Sequence, residues 1–172
     1  MLNVLRKSIA TRDRDLFDSI RGRQWRAVAE AMRVEAATLE EATLFHSRWT
    51  EHGERIRDGV GDDCLLAAAL RSWLPPYSGE AVMLYRGESA ERISARRLGF
   101  CWSPKRDVAE MFARGWHAIR PGGGQLIRSF VSAEAILAEP NAHSRHLGED
   151  EYTIDPSRLA SFETLESYPQ VE

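Results

Sequence analysis

The sequence predicts an α+β protein whose helices and strands lie in separate parts of the chain. In the first part, apolar residues recur at helical spacing among many Ala, Glu and Arg. Pro75 and Pro76 interrupt that pattern. After them come short runs of β-branched and aromatic residues bounded by glycine, which are typical of strands. The chain therefore divides into a helical N-terminal segment, residues 1–78, and a mixed core, residues 79–172.

Two helical stretches are expected before residue 61. Residues 13–41 contain one glycine and no proline, which favours a helix over most of that range. Another helix is expected to follow Thr38, because Thr38 and Glu41 have the spacing of a capping box. Gly59 and Gly61 are expected to close this helix, since glycine accepts the left-handed conformation that often ends one.

A third helix is expected to begin at Asp62 or Asp63, either of which can accept hydrogen bonds at a helix start. It must stop before Pro75. Its side chains at helical spacing form one apolar face, made of Leu65, Leu66, Ala69, Leu70 and Trp73.

Four strands are expected in the second part. Residues 81–87 read AVMLYRG, a short apolar run that ends at glycine. Residues 98–102, 125–131 and 149–154 have a similar composition. The segment between the last two, residues 133–140, is expected to hold a short turn or helix.

A helix is expected immediately after the second strand. Ser103 can serve as its N-cap and Pro104 as its first residue. Val108, Met111 and Phe112 would then face inward.

The composition excludes some classes of function. The formal net charge of the 172 residues is −3, so binding to nucleic acid or to an anionic membrane has no global electrostatic support. Neither a signal peptide nor an apolar stretch of membrane-spanning length is evident, and a cytoplasmic protein is expected. Delivery into another cell without a cleaved signal stays open. Cys64 and Cys101 lie in apolar contexts, which predicts buried thiols rather than a disulfide.

Polar residues stand at the ends of the expected strands. Arg86 ends the first and Ser103 follows the second, while Glu149 and Glu151 lie in the fourth. Because side chains alternate along a strand, the two glutamates would share one face, about 7 Å apart. Taken alone, such acids are more commonly a solvated turn before a strand. No metal site is expected, since the histidines of the segment NAHSRHL lack a third ligand at convincing spacing.

The motifs LYRGE, GFCWSP and GEDEYTIDP, in this order, resemble the Arg-Ser-Glu class of ADP-ribosyltransferases. The resemblance covers about residues 80–165, and GFCWSPKRDVAEMFA is similar to small phage and bacterial members. It implies a compact two-sheet core, on which the helical segment would pack, and NAD as a substrate without a metal. The chain departs from many relatives at Ser103-Pro104-Lys105, where they have Ser-Thr-Ser.

The resemblance implies two catalytic glutamates. Glu151 matches the invariant glutamate, which would accept a hydrogen bond from the ribose 2′-hydroxyl and stabilise the oxocarbenium-like transition state. Glu149 matches the position that orients or deprotonates the acceptor, and glutamate there resembles the arginine-modifying members.

The same resemblance implies four residues that bind NAD. Arg86 would bind the pyrophosphate, since its fork of N–H groups suits phosphate. Gly87 would let the backbone approach the nicotinamide carboxamide. Ser103 would hydrogen-bond Glu151 and fix its rotamer, and Trp102 could wall the nicotinamide pocket or belong to the core.

The expected function is mono-ADP-ribosylation of a protein, with arginine as the favoured acceptor. The loop with His143, Arg145 and His146 would contact polar or acidic target surfaces. The family setting suggests a phage or bacterial effector or toxin, with a target protein or an immunity protein as partner. Two alternatives stay open: an NAD glycohydrolase, in which water replaces the acceptor, and a non-catalytic binding module on the same fold.

Overall fold

The computed structural model describes residues 1–171, and the chain divides into two compact units between Pro76 and Tyr77. The first unit is helical and the second combines helices with strands. The described residues form eight α-helices and two three-stranded antiparallel sheets, which confirms the predicted α+β class. None of these helices is long and apolar enough to cross a membrane.

The first unit contains five helices. They are α1 (Leu2–Ala10), α2 (Arg14–Asp18), α3 (Gln24–Val34), α4 (Leu39–Val60) and α5 (Asp63–Trp73). The helical stretch expected over residues 13–41 is therefore interrupted between α2 and α3. Gly22 lies in the interruption with φ +48°, a left-handed conformation that glycine adopts without steric cost.

The caps predicted at Thr38, Gly61 and Asp62 are confirmed. The backbone N–H of Glu41 donates to Thr38 Oγ1 at 3.2 Å, and that of Thr38 donates to the Glu41 carboxylate at 2.8 Å, which completes the capping box of α4. Gly61 ends this helix with φ +65°. Asp62 caps α5 by accepting a hydrogen bond from the N–H of Leu65 at 3.0 Å.

Aromatic side chains fill the core of the first unit. Trp73 stacks edge to face with Phe45 at 5.8 Å between ring centroids, and its Nε1–H donates to the carbonyl of Glu35 at 2.7 Å. Each such ring buries about 150–250 Å², more than an aliphatic side chain does. The largest fully buried aromatic residues here are Trp25, Trp49, Trp73, Phe17 and Phe45.

Gly59 does not close α4, contrary to the sequence-based expectation, but lies inside it. A Cβ at this position would come within 2.6 Å of the carbonyl oxygen of Gly22 and 2.9 Å of the Trp25 side chain. The absence of a side chain therefore allows α4 to approach the start of α3.

A matched pair of substitutions in α4 tests this explanation. We expect Gly59→Ala to destabilise the first unit by about 1–3 kcal/mol, because the new methyl group overlaps backbone that cannot easily move. Gly53→Ala should stabilise it by about 0.5–1 kcal/mol, since alanine favours helices and its Cβ would make only ordinary contact with Trp49 at 3.4 Å. Urea unfolding followed by circular dichroism measures both, and equal effects would contradict the explanation.

The second unit contains two sheets. The order of the first is β1 (Val82–Ser89), β3 (Gly124–Val131) and β6 (Glu163–Tyr168), and that of the second is β2 (Cys101–Trp102), β5 (Tyr152–Ile154) and β4 (Ile136–Ala138). Three helices and a short 3₁₀ turn connect them: α6 (Ala90–Ser94), α7 (Arg106–Arg114), α8 (Ala142–His146) and residues Pro156–Arg158.

An isolated backbone bridge connects β1 of the first sheet with the residue that follows β2 of the second. Tyr85 of β1 and Ser103, which follows β2, exchange hydrogen bonds of 2.7 and 2.9 Å. Side chains from both sheets form one core, which includes Leu84, Trp102, Ile127, Ile136 and Ile154. The bridge therefore brings the middle of β1 next to the end of β2.

The strands expected at residues 81–87 and 125–131 are confirmed as β1 and β3. The other two expected strands are shorter than the sequence suggested, because β2 and β5 begin only at Cys101 and Tyr152. The segment 133–140 begins with the expected turn, over residues 133–135, but it then forms the fully buried strand β4, which the sequence did not indicate.

The predicted start and inner face of α7 are also wrong. The helix begins at Arg106, and Ser103 belongs to the bridge with β1 instead of capping it. Met111 and Phe112 are exposed, while the inner face consists of small residues, Ala109 and Ala113. Small side chains are needed because the helix backbone lies directly on glycines of β1 and β3.

Cys64 was expected to be buried, but it is exposed on α5. Cys101 is partly buried in β2. The two cysteines are not joined by a disulfide.

Candidate active site

The acidic residues lie in a turn between α8 and β5, and not in a strand. Gly148 has φ +76° and Asp150 has φ +46°, both in the left-handed region. β5 begins only at Tyr152. The alternation expected for Glu149 and Glu151 in an extended strand is therefore wrong, and the turn sets their directions instead.

Ser144 of α8 holds the turn from one side. Its hydroxyl accepts a hydrogen bond from the backbone N–H of Glu151 at 2.5 Å, and its carbonyl accepts one from the N–H of Glu149 at 3.0 Å. Ser144 is fully buried and its own N–H donates to the side chain of Asn141 at 2.8 Å. Helix α8 thus fixes the backbone of both glutamates.

Ser103 and Lys105 hold the turn from the other side. The Ser103 hydroxyl donates to the carbonyl of Glu149 at 2.6 Å. The expected hydrogen bond from Ser103 to the Glu151 side chain is therefore replaced by one to the backbone two residues earlier. Lys105 Nζ donates to the carbonyl of Gly148 at 2.8 Å and pairs with the Asp150 carboxylate at the same distance.

Glu151 has an unusual electrostatic environment. Its Oε1 is shielded from solvent and has no hydrogen-bond partner. Burial raises the pKa of Glu151 to about 7. The negative charge of the Glu149 carboxylate adds to this rise. A hydrogen bond from the Cys101 side chain and the positive charge of Arg86 oppose it. A carboxyl group with this pKa changes its charge near neutral pH.

Arg86 lies in the middle of β1 with only 11% of its side chain exposed. Its Nε donates to the Glu88 carboxylate at 2.8 Å and its Nη1 to the carbonyl of Cys101 at 2.5 Å. A Cβ at Gly99 would overlap Nη2, so the absent side chain leaves space beside the guanidinium group. Arg86 is thereby held in one orientation.

Glu88 is the fully buried partner of Arg86, and the sequence reasoning missed it. Its carboxylate also accepts hydrogen bonds from the N–H groups of Ser89 at 3.0 Å and Gly99 at 2.9 Å, and His117 Nδ1 lies 3.6 Å away. Burial alone would raise the pKa of Glu88, but the charges of Arg86 and His117 and the hydrogen bonds from Arg86 and from the N–H of Ser89 lower it. The Arg-x-Glu spacing in a strand, which places both side chains on one face, was the available signal.

Two other predicted NAD-binding residues have clear packing roles. A Cβ at Gly87 would overlap the backbone of Ala109 and Ala113, so this glycine lets α7 lie on β1. Trp102 is 1% exposed in the core, and its Nε1–H donates to the carbonyl of Gly99 at 2.9 Å. Of the two roles considered for Trp102, the structure supports the one in the core.

The structure therefore brings four of the predicted residues together. Ser103 bonds to the backbone of Glu149, while Glu149 and Arg86 both act electrostatically on Glu151. Gly87 follows Arg86 in the sequence and Trp102 precedes Ser103, but both have the packing roles described above. The sequence reasoning also missed Lys105, Ser144 and Cys101 as contacts of the acidic turn. No cluster of three metal-ligating side chains occurs among residues 1–171.

Comparisons of the chain with protein family models, with curated proteins and with solved structures found no match. The chemistry of the site is therefore inferred from its own residues.

The environment of Glu151 predicts a pH-dependent stability. The pKa of Glu151 in the folded protein lies above its ordinary value of 4.5. The folded state therefore loses stability relative to the unfolded chain as the pH rises from about 4.5 through about 7. At about 1.4 kcal/mol for each pKa unit, the cost above pH 7 is about 3 kcal/mol. Glu151→Gln removes the ionisation, and we expect the stability of the variant relative to the wild type to increase between pH 5 and pH 8. Thermal melts over this range measure the difference, and a constant difference would contradict the assignment.

The ion pair between Arg86 and Glu88 predicts a large loss of stability when one partner is neutralised. Glu88→Gln keeps the shape of the side chain but leaves the buried guanidinium charge uncompensated, which we expect to cost about 3–5 kcal/mol. Glu163→Gln is the control, because it neutralises an exposed glutamate that pairs with Arg128 at 2.8 Å and should cost far less. Hydrogen exchange of β3 amides measures both, and similar losses would show that the burial of Glu88 is unimportant.

Proposed function

We propose that this protein is a mono-ADP-ribosyltransferase that transfers ADP-ribose from NAD to an arginine side chain of a protein. The observation that carries the proposal is the shielded Glu151 carboxyl group, with one oxygen unpartnered, beside Glu149 and Arg86. The order of the motifs around Arg86, Ser103 and Glu151, which resembles that of the Arg-Ser-Glu transferases, supports it further.

Glu151 would stabilise the transition state of bond cleavage. When the bond between nicotinamide and ribose breaks, its electron pair leaves with nicotinamide and positive charge develops on the ribose. A carboxylate shielded from water interacts strongly with such a charge, which is absent from that position in the ground state. The unpartnered Oε1 can also accept a hydrogen bond from a ribose hydroxyl.

Glu149 would act on the acceptor. Its carboxylate makes no hydrogen bond or ion pair within the described residues, which leaves it available to a ligand. An arginine guanidinium is charged near neutral pH and becomes nucleophilic only when a base takes a proton from it. As one guanidinium nitrogen bonds to the ribose carbon, Glu149 would receive this proton.

Arg86 would contribute a fixed donor to the NAD phosphates. Its Nε and Nη1 are engaged by Glu88 and the Cys101 carbonyl, so a phosphate oxygen would meet Nη2, the nitrogen beside Gly99. The charge of Glu88 partly offsets that of Arg86. We therefore propose that Arg86 mainly orients NAD and contributes less to the affinity for it.

Labelled NAD and a cell lysate test the transferase proposal. We expect the purified protein to release nicotinamide and to label protein, and Glu151→Gln to lower both rates about 100-fold or more. Glu163→Gln, which neutralises an exposed glutamate, should keep full activity. Nicotinamide release should rise with pH and level off above about 7, because only the ionised form of Glu151 stabilises the cation. The absence of NAD turnover and of labelling would contradict the proposal.

Glu149→Gln separates transfer from hydrolysis. Under the proposal this variant continues to cleave NAD but no longer labels protein, because water needs less activation by a base than a guanidinium does. NAD cleavage by the wild type without any labelled protein would instead indicate an NAD glycohydrolase. A protein that binds an arginine-containing partner and leaves NAD intact would be the non-catalytic module.

A further inference from the structure

Lys105 reaches across to the acidic turn and contacts it on both sides of Glu149. Its Nζ donates to the carbonyl of Gly148 at 2.8 Å and pairs with the carboxylate of Asp150 at 2.8 Å. Its backbone N–H donates to Ser103 Oγ at 3.0 Å, and that hydroxyl in turn donates to the carbonyl of Glu149. Residues 103–105 are thus bonded to three consecutive residues of the turn.

The turn needs such support because of its backbone conformation. Asp150 has φ +46°, in the left-handed region that residues with a Cβ adopt only at a cost. Lys105 binds the Asp150 side chain on the C-terminal side of Glu149 and the carbonyl of Gly148 on its N-terminal side, so it ties down the backbone around this residue at both ends.

Lys105 pairs with Asp150 and not with either glutamate, which matters for the proposed reaction. Lys105 neutralises Asp150, which lies between the two glutamates in sequence, and leaves the carboxylates of Glu149 and Glu151 without a paired cation at hydrogen-bond distance. A direct ion pair with Glu149 would weaken it as a base. The lysine therefore holds the turn without pairing with the proposed base.

We propose that Lys105 is a positioning residue that sets Glu149 relative to Glu151 and thereby decides whether ADP-ribose passes to an acceptor or to water. The proposal rests on the transferase function proposed above. Of the two glutamates, NAD cleavage needs only Glu151, whose N–H is bonded to the Ser144 hydroxyl and not to residues 103–105. Transfer needs both glutamates in the correct relative position, because even a small displacement of a reacting group lowers the rate strongly.

Lys105→Met tests this role, with Arg128→Met as the matched control. Both side chains are 42% exposed and both pair with a carboxylate at 2.8 Å, but Arg128 pairs with Glu163 of β6. We expect Lys105→Met to lower the ratio of transferred to hydrolysed ADP-ribose at least about tenfold, with total NAD cleavage nearly unchanged. Arg128→Met should keep the wild-type ratio. An unchanged ratio in folded Lys105→Met overturns the proposal.

A double substitution shows whether Lys105 acts through Glu149. In a Glu149→Gln background, Lys105→Met should have no further effect on the ratio, because the base that it positions is already absent. Additive losses in the two variants overturn the proposal. If Lys105→Met does not fold, Asp150→Asn serves instead, since Asn tolerates the left-handed conformation but removes the ion pair; it should lower the ratio less, because the bond to Gly148 remains.

Carboxyl carbon NMR separates failure of this proposal from failure of the transferase function. In Lys105→Met we expect the carboxyl resonance of Glu149 to move and that of Glu151 to stay in place, because the lysine contacts the turn on both sides of Glu149 while the Ser144 hydroxyl still binds the N–H of Glu151. If the wild type does not cleave NAD but the Glu149 resonance moves in this way, positioning by Lys105 is supported and the transferase function fails. An unchanged Glu149 resonance overturns the positioning role, whether or not NAD is cleaved.

Discussion

The buried ion pair between Arg86 and Glu88 is the interaction on which the arrangement of the site depends. Two charges removed from water are costly unless good geometry and further hydrogen bonds compensate them. Here Glu88 also accepts hydrogen bonds from the backbone N–H groups of Ser89 and Gly99, and Arg86 also donates a hydrogen bond to the carbonyl of Cys101. These bonds connect β1 with the chain that enters β2. Because β2 pairs with β5, the same pair indirectly locates the strand that follows the acidic turn.

The acidic turn is held through its backbone, which leaves the two glutamate side chains available. Ser144 binds the N–H groups on one side through its hydroxyl and carbonyl, while Ser103 and Lys105 bind the carbonyls on the other. Groups that are fixed before a ligand arrives need not be reorganised during a reaction. A site held in this way can combine an unfavourable φ at Asp150 with a defined position of its carboxylates.

Local rules predicted the features that neighbouring residues determine. The capping box at Thr38 and the cap at Asp62 depend on hydrogen bonds over three residues, and β1 follows from a short apolar run. Features that depend on distant contacts were missed or wrong: the small inner face of α7 and the glycine at position 59 reflect approaching backbones. The order of Arg86, Ser103 and the glutamates was visible, but the partners that hold them were not.

The difference between the two glutamates explains how one turn could serve two steps. Glu151 precedes β5 directly and lies beside Cys101 of the neighbouring strand, where burial disfavours its charge. Glu149 is separated from the strand by the left-handed Asp150 and is partly exposed. Two carboxyl groups in different environments are suited to different chemical roles. In a regular strand both side chains would share one face and one environment, so the turn itself creates this division.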